Sequence, residues 1–539
     1  MEKQQAVRRS MLWSAYADAL GFITEMTDAA GVRRRVGRSE VVSLVPWKRR
    51  IGGKFGVDIE LPNGCYSDDT QLRLATCRAI RHDGTFDADV FAKVELPIWR
   101  AYALGAGTGS KAAAQALEKP DVQWSGNFFD TRFSRYVDGG GNGAAMRIQP
   151  HVWAARSDQR ESDVMRSIIR NAVITHGHPR GILGAVFHGF CLFHSMGATS
   201  IPSIEAWREI LDKLRYTTKI MRSDDTLGTI WIPCWEDVTK ERLDQAFDAT
   251  IGEIEHDIAL IKDQPQGTQP TDRYATAAKA IGGLRSECRG SGVKTALLAA
   301  YLALCFRDEP LMGVRAAANL LGSDTDTIGT MAGAILGAVC REDPPEDVLD
   351  KEYLEREADR LVKVSQGQKA TSYKYPDLIH WQAPSTEIDV LGFRNGAWFV
   401  AGLGQAKPVW EPVTKQGKSP MLWQWFELDC GQHLLLKRRS APRDLEDSCL
   451  PVRDEKRTRS AQAIATESLE KARASAFDPR EVGNLLLALA TEGDGKSAEL
   501  FASKLVRELR EQGVTKALTT ENENKRDEKS ADSGNSMPD

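Results

Sequence analysis

Gly322-Ser323-Asp324-Thr325-Asp326-Thr327-Ile328, continued by Gly329-Thr330-Met331-Ala332-Gly333-Ala334-Ile335-Leu336-Gly337-Ala338, sets two carboxylates at i and i+2 at the head of a run of small and apolar residues. The spacing of that run predicts a helix over 325–340 that its neighbours approach closely, so its beginning is expected to be buried. Two buried carboxylates need a partner charge. No lysine or arginine lies within the cluster, and a divalent ion held by hard oxygens is the simplest compensation. The same alanine-rich helical texture recurs over 11–24, 69–82, 88–104, 162–174, 180–196 and 293–306, so everything to about residue 368 is expected to form one large, mainly α domain.

A second acidic cluster, Cys65-Tyr66-Ser67-Asp68-Asp69-Thr70-Gln71, opens the 69–82 segment. One reading is a capping box, with Asp68 as N-cap and Gln71 three residues on. The other is a metal site, because Ser67, Asp68 and Asp69 bring more hard oxygens to the helix start than a cap needs, and adjacent carboxylates repel without a cation. Gly139-Gly140-Gly141-Asn142-Gly143-Ala144-Ala145-Met146-Arg147 is either a flexible turn or a loop whose bare backbone N–H groups can approach a phosphate. Thr175-His176-Gly177-His178-Pro179 carries a histidine in a turn, a setting that is more often structural than catalytic.

Composition narrows the function classes. The 539 residues exceed what one hydrophobic core usually serves, and 42% hydrophobic with 27% charged residues describes an ordinary globular chain. With 71 basic against 75 acidic side chains there is no global field to gather nucleic acid. Local basic runs at Arg33-Arg34-Arg35, Lys48-Arg49-Arg50 and Lys437-Arg438-Arg439 read first as solvated faces. Nine cysteines without a CxxC pair argue against a disulfide framework or structural zinc, and a reducing cytoplasm fits them. The apolar stretch from Met11 to Ile23 is broken by Asp18, and no run is expected to reach the roughly 18 apolar residues of a spanning helix.

Texture changes after about 368. Ile388 to Phe393, then Arg394-Asn395-Gly396-Ala397, then Trp398-Phe399-Val400 places an Asn-Gly turn between two β-rich runs, so 369–440 is expected to be a small β-containing module. Its tryptophans, Trp381, Trp398, Trp410, Trp423 and Trp425, suit a compact core or a binding face for a macromolecular partner. A linker and helical segment is expected over 441–518, with helices near 461–475 and 479–512 and start signals at Asp478 and Pro479. The polar, charged stretch 519–539 reads as a disordered tail.

Taken together the motifs resemble the ADP-ribosylglycohydrolase family, which includes the dinitrogenase reductase-activating glycohydrolase and the ADP-ribosyl-arginine and ADP-ribosyl-serine hydrolases. The match runs in family order through Ala17-Asp18-Ala19-Leu20-Gly21 with Glu25, Ser67-Asp68-Asp69-Thr70, Gly141 to Arg147, Thr175-His176, and Asp324-Thr325-Asp326-Thr327-Ile328 into Met331-Ala332-Gly333, over roughly residues 8–345. The resemblance implies a compact all-α fold and two magnesium ions held by Ser67, Asp68, Asp69, Asp324, Asp326 and Thr327. It also implies Glu25 near the substrate ribose, and Asn142, Gly143, Ala144, Ala145 and His176 against the ADP-ribose. Serine stands at 67 where the family usually has threonine, and Ser323 stands where it usually has glycine.

The implied function is magnesium-dependent hydrolysis of an N- or O-glycosidic bond to ADP-ribose on a protein, small molecule or nucleic acid, with Glu25, Asp68, Asp69 and Asp326 as catalytic candidates. The alternative is a non-catalytic binder of ADP-ribose or a related NAD-derived nucleotide, with the C-terminal module relaying recognition. No membrane partner is expected. Residues beyond about 370 are expected to direct the enzyme to its target without completing the active site, so that a fragment of residues 1–368 folds alone.

Overall fold

The computed structural model describes residues 3–53, 56–264, 269–414, 421–441, 443–451, 461–492 and 496–511. The expected tail from 519 onward, residues 442 and 452–460 of the expected linker, and residues 265–268 lie outside the described residues. The chain divides into two compact units, 1–456 and 457–539. The boundary expected at 368 therefore falls inside the first unit.

At the centre of the first unit the N-terminal helix Lys3–Phe22 lies against Thr325–Val339. Close approach is why the small residues are there. A Cβ at Gly333 would stand 2.5 Å from the Trp13 carbonyl oxygen, and one at Gly21 would stand 2.4 Å from that of Thr325. Ser10 and Thr330 hydroxyls then reach across to the Ala334 and Ser14 carbonyls, which ties the two helices by side-chain as well as steric fit. Helices Pro179–Ala198 and Gly292–Cys305 cover the next layer. Among the described residues Pro179–Ala198 is long and apolar enough to cross a membrane, contrary to the expectation that no segment would be. Its apolar window is 72% buried in the helical body, as a central core helix requires. A hairpin that the sequence reading did not foresee, β1 (Trp47–Ile51) and β2 (Val57–Leu61), pairs antiparallel from Trp47 opposite Leu61 to Ile51 opposite Val57.

After the helix Lys351–Ser365 the chain builds an antiparallel sheet from β3 (Leu391–Arg394), β4 (Ala397–Val400), β5 (Gly404–Pro408), β6 (Val413–Thr414), β7 (Leu422–Leu428) and β8 (His433–Arg438). Strand order is β3-β4-β5-β7-β6, with β8 also on β7. Asn395 and Gly396 both take positive φ, 50° and 81°, as a two-residue hairpin turn between β3 and β4 requires. Trp381 and Trp425 are core residues, Trp398 packs edge-on against Phe393 and Phe426, and Trp410 is exposed.

The sheet is joined to the helical body by buried polar groups. Arg78 and Glu95, both inaccessible to solvent, form a two-bond ion pair at 2.8 Å on each arm. Gln432 Oε1 from the sheet accepts from Arg78 Nη1 at 2.6 Å, and Tyr375 donates to Glu95 at 2.6 Å. Asp350 accepts from the His433 backbone N–H and from Tyr66, and its carboxylate lies 2.6 Å from His433 Nδ1.

In the second unit helices Ala461–Ala474, Pro479–Glu492 and Lys496–Glu511 bury Ala465, Leu469, Ala472 and Phe501. Asp478 accepts from the Arg480 and Glu481 amides as the expected cap. Two helices stand where one was expected over 479–512.

Candidate active site

The site begins at two helix starts. Ser67, not Asp68, caps the helix Asp68–Ala79, its Oγ accepting from the Asp69 amide at 3.2 Å. Gln71 does not close a capping box, because its side chain bridges the Tyr102 carbonyl and the Leu104 amide. The turn is instead secured by Asp18 from the N-terminal helix, which accepts from the backbone N–H groups of Ser67 and Thr70 and from the Thr70 hydroxyl. With its own oxygens already satisfied, Asp18 fixes the turn that projects Asp68 and Asp69. Asp68 is held from the far side by the Ala106 amide at 2.7 Å. Gly105 allows that approach, since a Cβ there would fall 2.4 Å from Asp68 Oδ1. At the other helix start, Asp326 accepts from the Thr327 amide, and Asp324 accepts from Asn142 Nδ2 at 2.8 Å.

These groups face a cavity of about 660 Å³, within the range of small-molecule sites. Glu25, Asp68, Asp69, Asp324, Asp326 and Thr327 form one side, and Asn142, Gly143 and His176 line it as well. A Cβ at Gly143 would lie 2.8 Å from Ser110 Oγ and 3.1 Å from His176 Cε1, so only glycine fits between them. The amides of Gly139, Gly140 and Asn142 are engaged with the Tyr136, Asp138 and Gly290 carbonyls, which brace the loop and occupy three of the donors that a phosphate would otherwise meet. Arg147 is buried beneath it and donates to Gly143, Asn171 and Thr175. His176 shares a hydrogen bond of 2.7 Å with the Thr175 hydroxyl. Burial, helped by the Arg147 charge, lowers its pKa to about 3 and keeps the imidazole neutral.

Electrostatically the carboxylate wall is undercompensated. Burial, then the neighbouring Glu25, raises Asp68 to about 7. Asp69 is driven well above the usual carboxylate range by burial and by Asp18 and Asp68, and Asp326 by burial and by Glu25 and Asp69. Arg49 from β1 binds Glu25 at 3.1 Å and opposes the rise that burial imposes on it. Arg73, buried under the cluster between Thr70 and Thr330, and Lys111 favour the charged forms of Asp69 and Asp68. Asp69 Oδ2 is buried and without a hydrogen-bond partner.

A magnesium centre fits these residues. Oxygen donors are what Mg²⁺ binds, and an unpartnered buried carboxylate oxygen amid mutually repelling acids calls for a cation. Among the described residues no three His, Cys, Asp or Glu side chains already stand together as a ready-made metal cluster. The fit rests on the oxygen donor chemistry and on the orphaned Asp69 oxygen.

Of the residues singled out by sequence, Glu25, Asp68, Asp69, Asn142, Gly143, His176, Asp324, Asp326 and Thr327 meet at the cavity. Ser67, Ala144 and Ala145 are fully buried and do not line it: Ser67 serves as cap, and the two alanines pack beneath the glycine loop. Gly105, Ser110 and Arg289 line the cavity but escaped the sequence reading, and Arg49, read there as part of a solvated basic run, lines it too and pairs with Glu25. One signal was present: Gly105-Ala106-Gly107-Thr108-Gly109 carries three glycines in five residues, against four in five over 139–143.

The description "ADP-ribosylglycohydrolase" belongs to the family model that matches residues 1–371. ADP-ribosylhydrolase ARH3 of Danio rerio is 28% identical over 296 residues, which cover 51% of this chain and 69% of that protein. A solved structure described as an ADP-ribosylglycohydrolase-related protein complex aligns with 68% of this chain and 99% of its own, at 21% identity and a TM-score of 0.40. Family and relative together support ADP-ribosyl hydrolase activity. The matched segment contains all the cavity carboxylates, and the chain belongs to the ADP-ribosylglycohydrolase family.

Proposed function

We propose that this cavity hydrolyses the bond between the anomeric carbon of ADP-ribose and its leaving group, with two magnesium ions held by Asp68, Asp69, Asp324, Asp326 and Thr327. The observation that carries the reading is the convergence of carboxylates from three distant segments on one cavity, with Asp69 Oδ2 left unpartnered. Bound magnesium supplies charge that offsets the carboxylates and orients oxygens of the substrate ribose. Glu25, whose pKa burial raises and the Arg49 charge opposes, is the group that accepts a proton from the attacking water. Neutral His176 and the Asn142–Gly143 turn, which also line the cavity, hold the ADP-ribose. Asp18 and Ser67 act at one remove, by fixing the turn that aims Asp68 and Asp69.

Following release of ADP-ribose from an ADP-ribosylated substrate, with magnesium and with chelator, tests the reading. Activity that needs magnesium and is lost in Asp326→Asn is expected. Full activity in chelator would remove the metal from the mechanism. Tight ADP-ribose binding without turnover of any substrate would leave a binding protein.

A further inference from the structure

A second cavity, of about 510 Å³, adjoins the first, with Thr108 and Ser134 lining both. Its walls combine the helical body, the β1–β2 turn at Gly52 and Gly53, and Trp423 of β7. The junction lies on the segment 106–110, whose Ala106 amide holds Asp68 and whose Ser110 Oγ stands against Gly143. Lys111 lines the second cavity while its charge reaches Asp68 in the first. A group leaving the anomeric carbon beside those carboxylates therefore projects toward the second cavity.

The second cavity also has a distinct chemistry. Besides the buried Tyr102, two aromatic residues stand in its wall, Trp423 and the 80% exposed Phe133. Each already carries a cation on its ring: Lys437 Nζ lies 5.8 Å from the Trp423 centroid and the Arg132 guanidinium 5.6 Å from that of Phe133. Arg100 in the same wall is taken up by Glu118, and Glu387 is the acidic member of the lining. An arginine guanidinium placed here would add a further cation beside Lys111 and the two rings that Lys437 and Arg132 already pack against. A serine side chain is too short to cover two rings. A nucleotide meets both demands, with a planar base to stack on the rings and phosphates to face the cations. The formal net charge of −4 disfavours binding of long nucleic-acid tracts, but a local basic rim can hold a few nucleotides.

We propose that the second cavity receives the leaving group, and that this group is a base of single-stranded nucleic acid bearing ADP-ribose. The assignment rests on the hydrolase reading of the first cavity. In the reaction a water oxygen bonds to the anomeric carbon and the carbon–nitrogen bond to the base breaks. The electron pair stays on the base nitrogen, which takes a proton, so that ADP-ribose and an unmodified strand leave.

The test uses the full chain and two probes: an unmodified single-stranded oligodeoxynucleotide followed by fluorescence anisotropy, and the same strand carrying base-linked ADP-ribose followed by steady-state hydrolysis. ADP-ribosyl-arginine and ADP-ribosyl-serine peptides are run beside it. The unmodified strand is expected to bind. Phe133→Ala, on an exposed ring that the fold does not need, and Lys437→Glu should each weaken that binding and raise KM for the modified strand by about tenfold, as loss of one base–aromatic stack implies. Calorimetric affinity for ADP-ribose, set by the other cavity, should stay level. Equal strand affinity in wild type and both variants would overturn the proposal. So would preferential cleavage of the arginine peptide with a KM that rises in the same variants. If nothing is hydrolysed while strand binding persists and still falls in Phe133→Ala, the hydrolase reading fails and the nucleotide site stands.

Discussion

Two buried clusters of charge in the same compact unit are treated in opposite ways. At the junction of helical body and sheet, every nitrogen of the Arg78 guanidinium has an acceptor, drawn from Glu95 and Gln432, and Tyr375 closes the other side of Glu95. Burial works against the Arg78 charge, yet Glu95 holds its pKa well above the ordinary arginine value. On the cavity wall, Asp68, Asp69 and Asp326 are also buried, but there burial and the surrounding carboxylates, Asp18 among them, raise their pKa values, and Asp69 Oδ2 has no partner. A buried charge whose hydrogen bonds are all made is part of the architecture. The cavity wall is left short of partners, which is the deficit the proposed magnesium ions would fill.

The strongest way to break this contrast is to cut the chain. A fragment ending at residue 368 keeps every cavity carboxylate but loses Tyr375, Gln432 and His433 from the junction, so it is expected to fail to fold cooperatively. The cost should exceed the roughly 3–5 kcal/mol of a single broken buried pair. Circular dichroism and urea melts of the fragment decide it, and a folded, active fragment would show that the junction is dispensable. Next in size, Arg78→Leu strands Glu95 in the core and should lower unfolding free energy by about 3–5 kcal/mol. KM for an ADP-ribosyl substrate in the protein that remains folded should not move. A loss below about 1 kcal/mol would place this pair among those the fold can do without.

The cavity wall should respond with the reverse sign. Asp69→Asn removes a repelled charge, so without magnesium the variant is expected to melt no lower than wild type. With magnesium, wild type should gain stability, about 2.7 kcal/mol at a hundredfold excess over the dissociation constant, and the variant should lose most of that gain together with activity. A variant that melts well below wild type in chelator would mean that Asp69 is structural, like Arg78. The smallest effect is expected at Ser67, which the fold uses as a cap. Ser67→Ala should cost about 1 kcal/mol of stability, with magnesium affinity by calorimetry close to wild type. A large loss of affinity would restore the hydroxyl to the metal site.

Local sequence by itself determined most of the helices, the cap at Asp478 and the identity of the acids, because periodicity and short motifs act over a few residues, whereas it placed on Asp68 the cap that Ser67 forms. Thr325–Val339 could be read from its small-residue spacing, and the β3–β4 turn from Asn395-Gly396, since only the backbone conformation at those positions is at stake. What needed the tertiary structure was everything set by contacts between segments far apart in the chain. Arg49 reaches Glu25 from a strand 24 residues away, Asp18 meets Thr70 across 52, and Asn142 meets Asp324 across 182. The burial of Ser67, Ala144 and Ala145 away from the cavity was equally invisible, because a residue's neighbours in sequence do not fix which side of a turn faces the open space. So it was with the sheet: its strands were legible in outline, but its anchoring through Gln432 to Arg78, 354 residues apart, follows from a buried cation that had to be satisfied by whatever the fold could bring to it.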